Sequence, residues 1–353
     1  MAMADSKKLE GIIVDCTHLG RNTTGIERIT EELFLNDSFD GLNVVDVRSK
    51  NTLGLILKQW FGLVFYAVKH RKLKLLFPGF PPSILMSVLF PKRTLLYVHD
   101  LFLITREEDL NPRAKLYMKP SFSYAIKNLK TFLVNSQKTK KELLQHCLPD
   151  ADIFMYRPEI SNIFGLEPAL NNVVDEVRKS IKVLMVGTVE PRKNYSGAVE
   201  IVHALSDLMK TRVELHVVGR YGWDDNFDRL NGHENVYFHG YASQEEIRML
   251  AQEATFFLST SHDEGLGLPL LEMQYSGLQV IASDIDVFRE VLGESGIYID
   301  SSDPQSAAQT IQDFLIKDID PHIIANQALS NIDRWNNNAK EDKVRIEKLL
   351  AGS

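Results

Sequence analysis

Two successive series of apolar strands and amphipathic helices constrain the fold of this chain more than any other feature. The strand-like runs are GIIVDC, RTLLYVHD and KTFLVNS in the first series, and IKVLMVG, VELHVVG, NVYFHG, TFFLST and QVIAS in the second. Continuous apolar strands separated by helices are typical of parallel sheets that helices cover on both faces. The sequence therefore predicts an α/β protein with two doubly wound domains. Ligands are expected where loops leave the carboxyl ends of the strands.

Length and composition agree with two domains in a reducing environment. The chain has 353 residues, more than one hydrophobic core usually supports. Its two cysteines, Cys16 and Cys147, are too few for a disulfide scaffold. The opening segment MAMADSKKLE lacks the apolar stretch of a secretory signal. We therefore expect a cytoplasmic protein, and the polar residues 159–180 are expected to connect the two domains.

Charge is distributed unevenly along the chain. The net charge is −7, which argues against a general nucleic-acid-binding protein. Residues 51–150 carry 16 Lys and Arg against 6 Asp and Glu, or +10, so the rest of the chain carries −17. The basic region suggests that the first domain faces an anionic partner.

The most apolar segment, residues 53–68, supports two interpretations. One is a buried helix followed by basic residues. The other is a segment that lies in a membrane interface, with Trp60, Phe61, Phe65 and Tyr66 in lipid. Anionic head groups would then meet the basic residues of region 53–93, namely Lys69, Arg71, Lys72, Lys74, Lys92 and Arg93.

The motif EGLGLPLLE, residues 264–272, places two acids on either side of a glycine-containing turn. Pro269 suits the first turn of a helix, which leaves Gly265, Leu266 and Gly267 in the loop with backbone N–H groups free to face a ligand. Glu264 would then point from the loop into a cleft, and Glu272 would lie on the first helical turn. Alternatively, both acids complement the helix N-terminus, which explains Glu272 better than Glu264.

Other candidate residues also follow strands. In GTVEPRKN, Arg192 and Lys193 lie between a strand and a helix, where an anion would bind; a solvated charge pair is the alternative. Gly25 of TTGIER marks a loop-to-helix junction, and His99 of YVHD ends a strand. No phosphate-binding P-loop or dinucleotide fingerprint is present, and the histidine spacing indicates neither zinc nor a Ser-His-Asp triad.

These motifs together resemble family 4 retaining glycosyltransferases of the GT-B fold. The resemblance to the donor half covers residues 181–305 in order, through GTVEPRKN, VELHVVG, NVYFHGYASQEEIRMLAQEATFFLSTSHDEGLGLPLLEMQYSG and QVIASDIDVFREVLGESGIYID. TGIER, YVHD and FLVNSQKTKKEL look like the acceptor half. The resemblance implies two Rossmann-like domains facing across a cleft: an acceptor domain over 9–165 and a nucleotide-sugar domain over 166–335. A helix within 336–353 would cross back to the first domain.

The resemblance also implies residue roles. Glu264 would contact hydroxyls of the donor sugar, Glu272 the nucleotide ribose, and Lys193 with Arg192 the diphosphate. His99 would lie near the transferred sugar. Further donor contacts are implied for Gly25, Gly240, Tyr241, Gly265, Leu266, Gly267 and Leu268. Thr188 stands where many relatives have Arg, which shifts phosphate binding to Lys193 and Arg192. Neither a metal nor another cofactor is expected.

The sequence thus predicts a retaining hexosyltransferase that extends a bacterial surface polysaccharide such as O-antigen. Mannose from GDP-mannose is the preferred donor, and a lipid-linked oligosaccharide is the acceptor. The enzyme would be peripheral on the inner face of the cytoplasmic membrane. The alternatives are a dTDP-rhamnose or UDP-sugar enzyme, a nucleotide-sugar-binding or assembly protein without turnover, and a sugar-phosphate epimerase. The intact set Glu264, Glu272 and Lys193 argues against the second alternative. The third lacks a cluster of acid and base residues.

Overall fold

The structure, a computed structural model, confirms an α/β protein with two parallel sheets. It describes residues 11–20, 25–35, 39, 43–48, 54, 57–107, 110, 114–168, 180–222, 232–317 and 319–351. The chain forms two compact units, one within residues 1–158 and 338–353 and the other within residues 159–337. The predicted domain boundaries at 165/166 and 335/336 stay predictions.

The first unit alternates strands and helices in chain order. Its elements are β1 (Gly11–Cys16), α1 (Gly25–Phe34), β2 (Asn43–Arg48), α2 (Leu63–Lys69), β3 (Lys74–Phe77), α3 (Ile84–Leu89), β4 (Thr94–Val98), α4 (Phe102–Thr105), α5 (Lys119–Asn128), β5 (Thr131–Val134), α6 (Gln137–Leu144) and β6 (Asp152–Met155). Short π-helices, Lys58–Gly62 and Ala114–Met118, precede α2 and α5. The order of strands in the sheet is β2-β1-β3-β4-β5-β6. The order therefore reverses between β1 and β3, where a doubly wound sheet opens a crevice at its carboxyl edge.

The second unit repeats this plan. Its elements are β7 (Ile181–Val186), α7 (Tyr195–Met209), β8 (Val213–Val218), β9 (Val236–Gly240), α8 (Gln244–Glu253), β10 (Phe256–Ser259), α9 (Leu268–Met273), β11 (Gln279–Ser283), α10 (Asp286–Leu292), β12 (Gly296–Ile299), α11 (Pro304–Leu315) and the beginning of α12 (Pro321–Ala351). The sheet order is β12-β11-β10-β7-β8-β9, so here the reversal lies between β7 and β10.

Local sequence explains where the helices begin. Ser136, the predicted N-cap, accepts a hydrogen bond from the backbone N–H of Thr139 at 3.2 Å. Ser243 and Glu246 form a reciprocal capping box at the start of α8. The last part of α12 belongs to the first unit, where Asp342 pairs with Arg157 at 2.7 Å.

The apolar segment predicted at 53–68 has one buried and one exposed face over the residues that the structure describes. Residues spaced by four, Gln59, Leu63 and Ala67, face the core. Phe61 and Phe65 are 64% and 66% exposed. The prediction of a buried helix is therefore wrong for this outer face. Leu53, Leu55 and Ile56 lie outside the described residues.

Three residues of region 53–93 do not face outward as the membrane interpretation requires. Arg93 donates hydrogen bonds to the carbonyls of Ala67 at 3.1 Å, His70 at 2.7 Å and Leu73 at 2.6 Å, so it ties down the end of α2. Lys74 donates to the carbonyl of Leu349. Trp60 is half-buried beside a hollow. Of the six basic residues named for the membrane interpretation, Lys69, Arg71, Lys72 and Lys92 are exposed.

Candidate active site

The loops that leave β7 and β10 meet at the reversal point of the second sheet. These strands are neighbours, so the loops at their carboxyl ends emerge at the same edge. The backbone N–H of His262 donates to the carbonyl of Arg192 at 2.9 Å. The Thr260 hydroxyl donates to the carbonyl of Asn194 at 2.9 Å. The two loops therefore hold each other in place.

Glu264 lies at the centre of this junction. Its carboxylate pairs with Arg192 at 2.5 Å and with Lys193. The Ser261 hydroxyl donates to the same carboxylate at 3.1 Å. The side chain of Glu264 is only 8% exposed. The structure thus brings together three of the four residues predicted to be catalytic.

The charges of this cluster keep Glu264 ionised. Burial acts to raise the pKa of its carboxyl, but the opposing charges of Lys193 and Arg192 outweigh burial and bring the pKa to about 2. Glu264 therefore stays a carboxylate at neutral pH, suited to accept hydrogen bonds and unsuited to deliver a proton.

The two cations differ in how firmly they are held. Arg192 also pairs with Glu190 and donates to the carbonyl of Asp263 at 2.8 Å. Lys193 lies against Gly187, where a Cβ would sit 3.4 Å from its Cε carbon. Lys193 ends a flexible chain, so its ammonium group can move between Glu264 and an incoming anion more easily than the Arg192 guanidinium.

Two details of the EGLGLPLLE motif differ from the prediction. Helix α9 begins at Leu268, one residue before Pro269, so Glu272 lies in the second turn and is buried. Gly267 has a φ of +92°, and a Cβ there would lie 2.8 Å from the Phe288 ring. A glycine is thus required at 267 by the left-handed backbone and by packing.

The other loop residues of the motif, Gly265 and Leu266, are buried, as is Leu268 at the start of α9. Because α9 has only six residues, we assign the positive charge of this site to Lys193 and Arg192 rather than to the helix end.

Three further residues predicted to bind the donor lie along the same sheet edge. Thr188 is half-buried and follows Gly187 at the end of β7. Gly240 ends β9 with a φ of +68°, and Tyr241 is 77% exposed. Strand β8 separates β9 from β7, so Tyr241 and Lys193 follow strands about 10 Å apart.

His99 and Gly25 belong to the first unit, whereas the Glu264 cluster belongs to the second. Burial lowers the pKa of His99 to about 4, so its ring is neutral at pH 7. Its Nε2 lies 2.6 Å from the carbonyl of Pro78. A carbonyl only accepts, so Nε2 carries the proton and Nδ1 carries the lone pair. Gly25 begins α1, and a Cβ there would meet no atom within 4 Å.

Three residues of the site were not expected from the sequence: Ser261, Thr260 and Glu190. The sequence contains only a weak indication of their role. Ser261 and Thr260 directly follow β10, and Glu190 lies two residues before Arg192. A polar residue immediately beyond a buried strand is a candidate for holding a loop in a doubly wound sheet.

The described part of the chain lacks two features that would bear on function. No group of three or more His, Cys, Asp or Glu side chains there is arranged to hold a metal ion. Within the same residues, no helix has the length and apolar character needed to cross a bilayer.

Known proteins resemble this chain in sequence and in fold. Over 278 residues it is 24% identical to O-antigen chain mannosyltransferase B of Escherichia coli, covering 73% of this chain and 71% of the relative. Over 72 residues it is 38% identical to the GDP-mannose:cellobiosyl-diphosphopolyprenol alpha-mannosyltransferase of Xanthomonas oryzae, covering 20% of this chain and 19% of that enzyme. Sucrose-phosphate synthase of Thermosynechococcus elongatus is similar in fold, with a TM-score of 0.70 at 15% identity, over 98% of this chain and 100% of that one.

The family match falls on the unit that holds the Glu264 cluster. Residues 168–331 match the family described as glycosyl transferases group 1. The two parallel sheets agree with the GT-B fold of the solved structures that resemble this chain. The second unit is therefore similar to the group 1 family of glycosyl transferases, and the chain has the GT-B fold.

Proposed function

We propose that the chain is a retaining hexosyltransferase that moves mannose from GDP-mannose to a lipid-linked oligosaccharide of a surface polysaccharide. The two relatives support the donor, because both are named mannosyltransferases and one is named for GDP-mannose. The same enzyme is named for a diphosphopolyprenol acceptor, which supports a lipid-linked acceptor here.

One observation carries the proposal: a buried carboxylate that bridges Lys193 and Arg192 at the reversal point of the second sheet. A departing nucleoside diphosphate needs its developing negative charge neutralised. Lys193 would turn from Glu264 toward the diphosphate, while Arg192 stays held by Glu190. Glu264, then free of one cation, would accept hydrogen bonds from hydroxyls of the donor sugar.

Glu272 and Tyr241, both of the second unit, would supply further donor contacts. Glu272 would accept the two ribose hydroxyls, and Tyr241 would stack on the base with its exposed ring. In the first unit, the neutral His99 ring can accept a hydrogen bond from a hydroxyl group at Nδ1, so we expect it not to act as an acid. The acceptor hydroxyl would attack the anomeric carbon on the face from which the diphosphate leaves, so the configuration is retained.

Charge neutralisation by Lys193 and Arg192 leads us to propose that transfer does not need a divalent cation. We expect the transfer rate in 5 mM EDTA to match the rate in 5 mM MgCl₂ within about a factor of two, since side-chain cations would serve the developing charge. A loss of transfer in EDTA that Mg²⁺ restores would contradict this part of the proposal.

The experiment that tests the function is transfer with a panel of donors. Purified protein is incubated with a diphosphopolyprenol-linked oligosaccharide and with GDP-mannose, dTDP-rhamnose or a UDP-sugar. The anomeric configuration of the product is read by NMR. We expect GDP-mannose to be used and an α-linked product to form. Transfer from another donor alone would overturn the choice of sugar, and a β-linked product would overturn retention.

The outer face of α2 and α3 suggests how a lipid-linked acceptor is reached. The two helices are in contact, and they expose apolar side chains together. These side chains are Phe65, Tyr66, Val68, Val88 and Leu89, and Phe61 of the π-helix that precedes α2 is exposed as well. The exposed cations Lys69, Arg71, Lys72 and Lys92 lie on the same part of the chain. We propose that this face binds the anionic inner surface of the cytoplasmic membrane, since it combines apolar area with positive charge.

Liposome sedimentation tests this surface. Vesicles with 30% phosphatidylglycerol should bind the protein at low salt and release it at 0.5 M NaCl, because screening weakens the charge attraction. Replacing both Phe61 and Phe65 by Ser should weaken binding about tenfold or more, since each buried ring contributes apolar area. Met249→Ser, which removes an exposed apolar side chain of the second unit, should bind as the wild type does. Equal binding to neutral vesicles, or unchanged binding by the double variant, would contradict the proposal.

A further inference from the structure

Glu190 is a second buried acid in the Glu264 cluster, and the proposed function gives it no contact with the substrate. It lies in the loop after β7 and is 9% exposed. Its carboxylate pairs with Arg192, which also pairs with Glu264 and donates to the carbonyl of Asp263 at 2.8 Å. Arg192 is therefore shared between two carboxylates, one from each of the two loops that form the site.

The Glu190 side chain does not serve the backbone next to it. Residues Pro191–Lys193 form a short 3₁₀ turn, and Glu190 stands at its N-cap position. Acids at such positions commonly accept hydrogen bonds from the first N–H groups of the helix. Within the described residues, Glu190 makes no capping hydrogen bond with its side chain. The carboxylate is directed at the Arg192 guanidinium instead, which indicates a role of its charge.

The backbone on both sides of Glu190 is held in place. The N–H of Val189 donates to the carbonyl of Arg220 at 2.9 Å, and the carbonyl of Glu190 accepts from the N–H of Lys193 at 2.9 Å. Val189 itself is fully buried. Glu190 therefore places a negative charge at a fixed point beside the Arg192 guanidinium.

The four paired side chains of the cluster carry no net charge. The cations Arg192 and Lys193 stand against the carboxylates of Glu190 and Glu264. Asp263 adds a half-buried carboxylate, which accepts from the N–H of Glu264 at 2.8 Å. A nucleoside diphosphate is an anion, so surplus positive charge would bind it more tightly. Glu190 lowers this affinity, and its presence therefore needs another reason.

The need to hold one cation in place supplies that reason. Lys193 is expected to turn toward the diphosphate while Arg192 stays with Glu264. Without the charge of Glu190, both cations would be drawn to the diphosphate, and Glu264 would lose the partner that orients it toward the donor sugar. We propose that Glu190 is a positioning residue that keeps Arg192 on Glu264 and weakens the binding of the departing nucleoside diphosphate. This inference rests on the proposed transferase function.

The binding test uses Glu190→Gln, which keeps an acceptor for Arg192 and removes the charge. Glu253→Gln is the matched control, because it removes one negative charge from an ion pair with Lys182 in the same unit. Isothermal titration calorimetry gives the Kd of GDP, dTDP and UDP. Glu190→Gln should bind the nucleotide that the wild type binds about fivefold more tightly, as expected for one charge removed near the anion. Glu253→Gln should bind it as the wild type does.

Initial rates of transfer separate positioning from support of the fold. In Glu190→Gln we expect kcat to fall about tenfold and the KM for the nucleotide sugar to fall as well, because the anion is held more tightly while Glu264 is misoriented. A residue that only supported the fold would lower kcat and raise KM. Glu190→Asp keeps the charge and should return the nucleotide Kd to within about twofold of the wild type.

The outcomes distinguish this inference from the proposed function. If the wild type binds a nucleoside diphosphate and Glu190→Gln binds it equally well, the inference is overturned and the function stands. Equal tightening in Glu190→Gln and Glu253→Gln would also overturn the inference, since it would show an effect of overall charge. Failure of both the wild type and Glu190→Gln to bind any of the three nucleotides would overturn the proposed function, and the inference with it.

Discussion

The chemistry of Glu264 depends on the three groups that surround its carboxylate. Two cations and one hydroxyl satisfy it in a buried position. Its pKa of about 2 means that the residue carries a full negative charge throughout the range in which enzymes are assayed. A carboxylate of this kind orients its partners and accepts hydrogen bonds. We therefore expect no step of the activity–pH profile above pH 4 to come from Glu264.

Replacement of Glu264 should affect both stability and transfer. Glu264→Ala leaves two nearly buried cations without their shared partner, so we expect a loss of about 3 kcal/mol in the free energy of unfolding. Transfer should fall more than about a hundredfold. Urea unfolding and initial rates measure the two effects.

The pH dependence gives a control for the same variant. The folded-state pKa of Glu264 is lowered from 4.5 to about 2, so its stabilisation is complete above pH 4.5 and is lost as the pH falls toward 2. The stability difference between wild type and Glu264→Ala should therefore shrink across that window. A difference that stays constant from pH 7 to pH 3 would contradict the ion-pair account.

The pKa of Asp15 is shifted in the opposite direction to that of Glu264. Burial, only partly offset by hydrogen bonds from Thr17 and Gln59, raises its pKa from 3.8 to about 6. Above pH 6 the folded state must hold a buried charge, and this cost disappears as the pH falls through 6 toward 3.8. Asp15→Asn should stabilise the protein by about 2 kcal/mol at pH 8, and by almost nothing at pH 4. Thermal unfolding at the two pH values measures this, with exposed Asp46→Asn as the control. Equal effects of Asp15→Asn at both pH values would contradict the account.

The Glu264 cluster and the hollow beside Trp60 were not equally visible in the sequence. Glu264, Lys193 and Arg192 follow buried strands inside short local motifs, so their placement at a sheet edge was predictable from the strand pattern. The hollow was not predictable. Gln59 meets Asp15 across 44 residues of sequence and Tyr117 across 58, and no local periodicity records such contacts.

At the scale of elements, the contact between the loops after β7 and β10 depends on the turn that joins the first of these loops to α7. Asn194 has a φ of +53°, in the left-handed region, and its side-chain oxygen accepts from the N–H of Gly197 at 3.1 Å. The residue thus turns the chain and caps the helix at once. It also follows Lys193 directly, so this turn sets the direction of the lysine.

Substitutions at Asn194 separate these two roles. Asn194→Ala loses the cap and strains the left-handed backbone, so we expect a cost of about 2 kcal/mol. Asn194→Gly loses only the side-chain cap, which costs a few tenths of a kcal/mol. Urea unfolding of both variants at one pH compares them. Equal destabilisation by Ala and Gly would show that the left-handed turn does not matter.

Sequence patterns predicted the elements better than their outward faces. The five runs named as strands in the second series are β7 to β11 in the structure, as expected for continuous apolar runs that lie in the core. The outer face of α2 could not be predicted in this way. Arg93 directly precedes β4, and it donates hydrogen bonds to the last carbonyls of α2. Predicting this contact would have required knowing that β3 and β4 are neighbours. Basic composition alone could not separate Arg93 from the exposed Lys69.

At the scale of the whole molecule, a reversal of strand order occurs in both sheets. Each sheet reverses its strand order once among the described strands. The reversal point of the second unit carries the charged Glu264 cluster, and that of the first unit carries a small hollow whose lining residues are uncharged. The uneven charge along the chain does not correspond to these two reversal points, because some basic residues of region 51–150 lie on the outer face of α2 and α3.

The central claim is that Lys193 neutralises the diphosphate of a nucleotide sugar at the second reversal point. Single-turnover transfer from GDP-mannose in Lys193→Met tests it most directly. Lys182→Met, which removes an ion pair with Glu253 in the same unit, is the control. We predict a loss of at least about a hundredfold in the rate constant for Lys193→Met and less than a twofold change for Lys182→Met. Transfer by Lys193→Met at the wild-type rate would contradict the account.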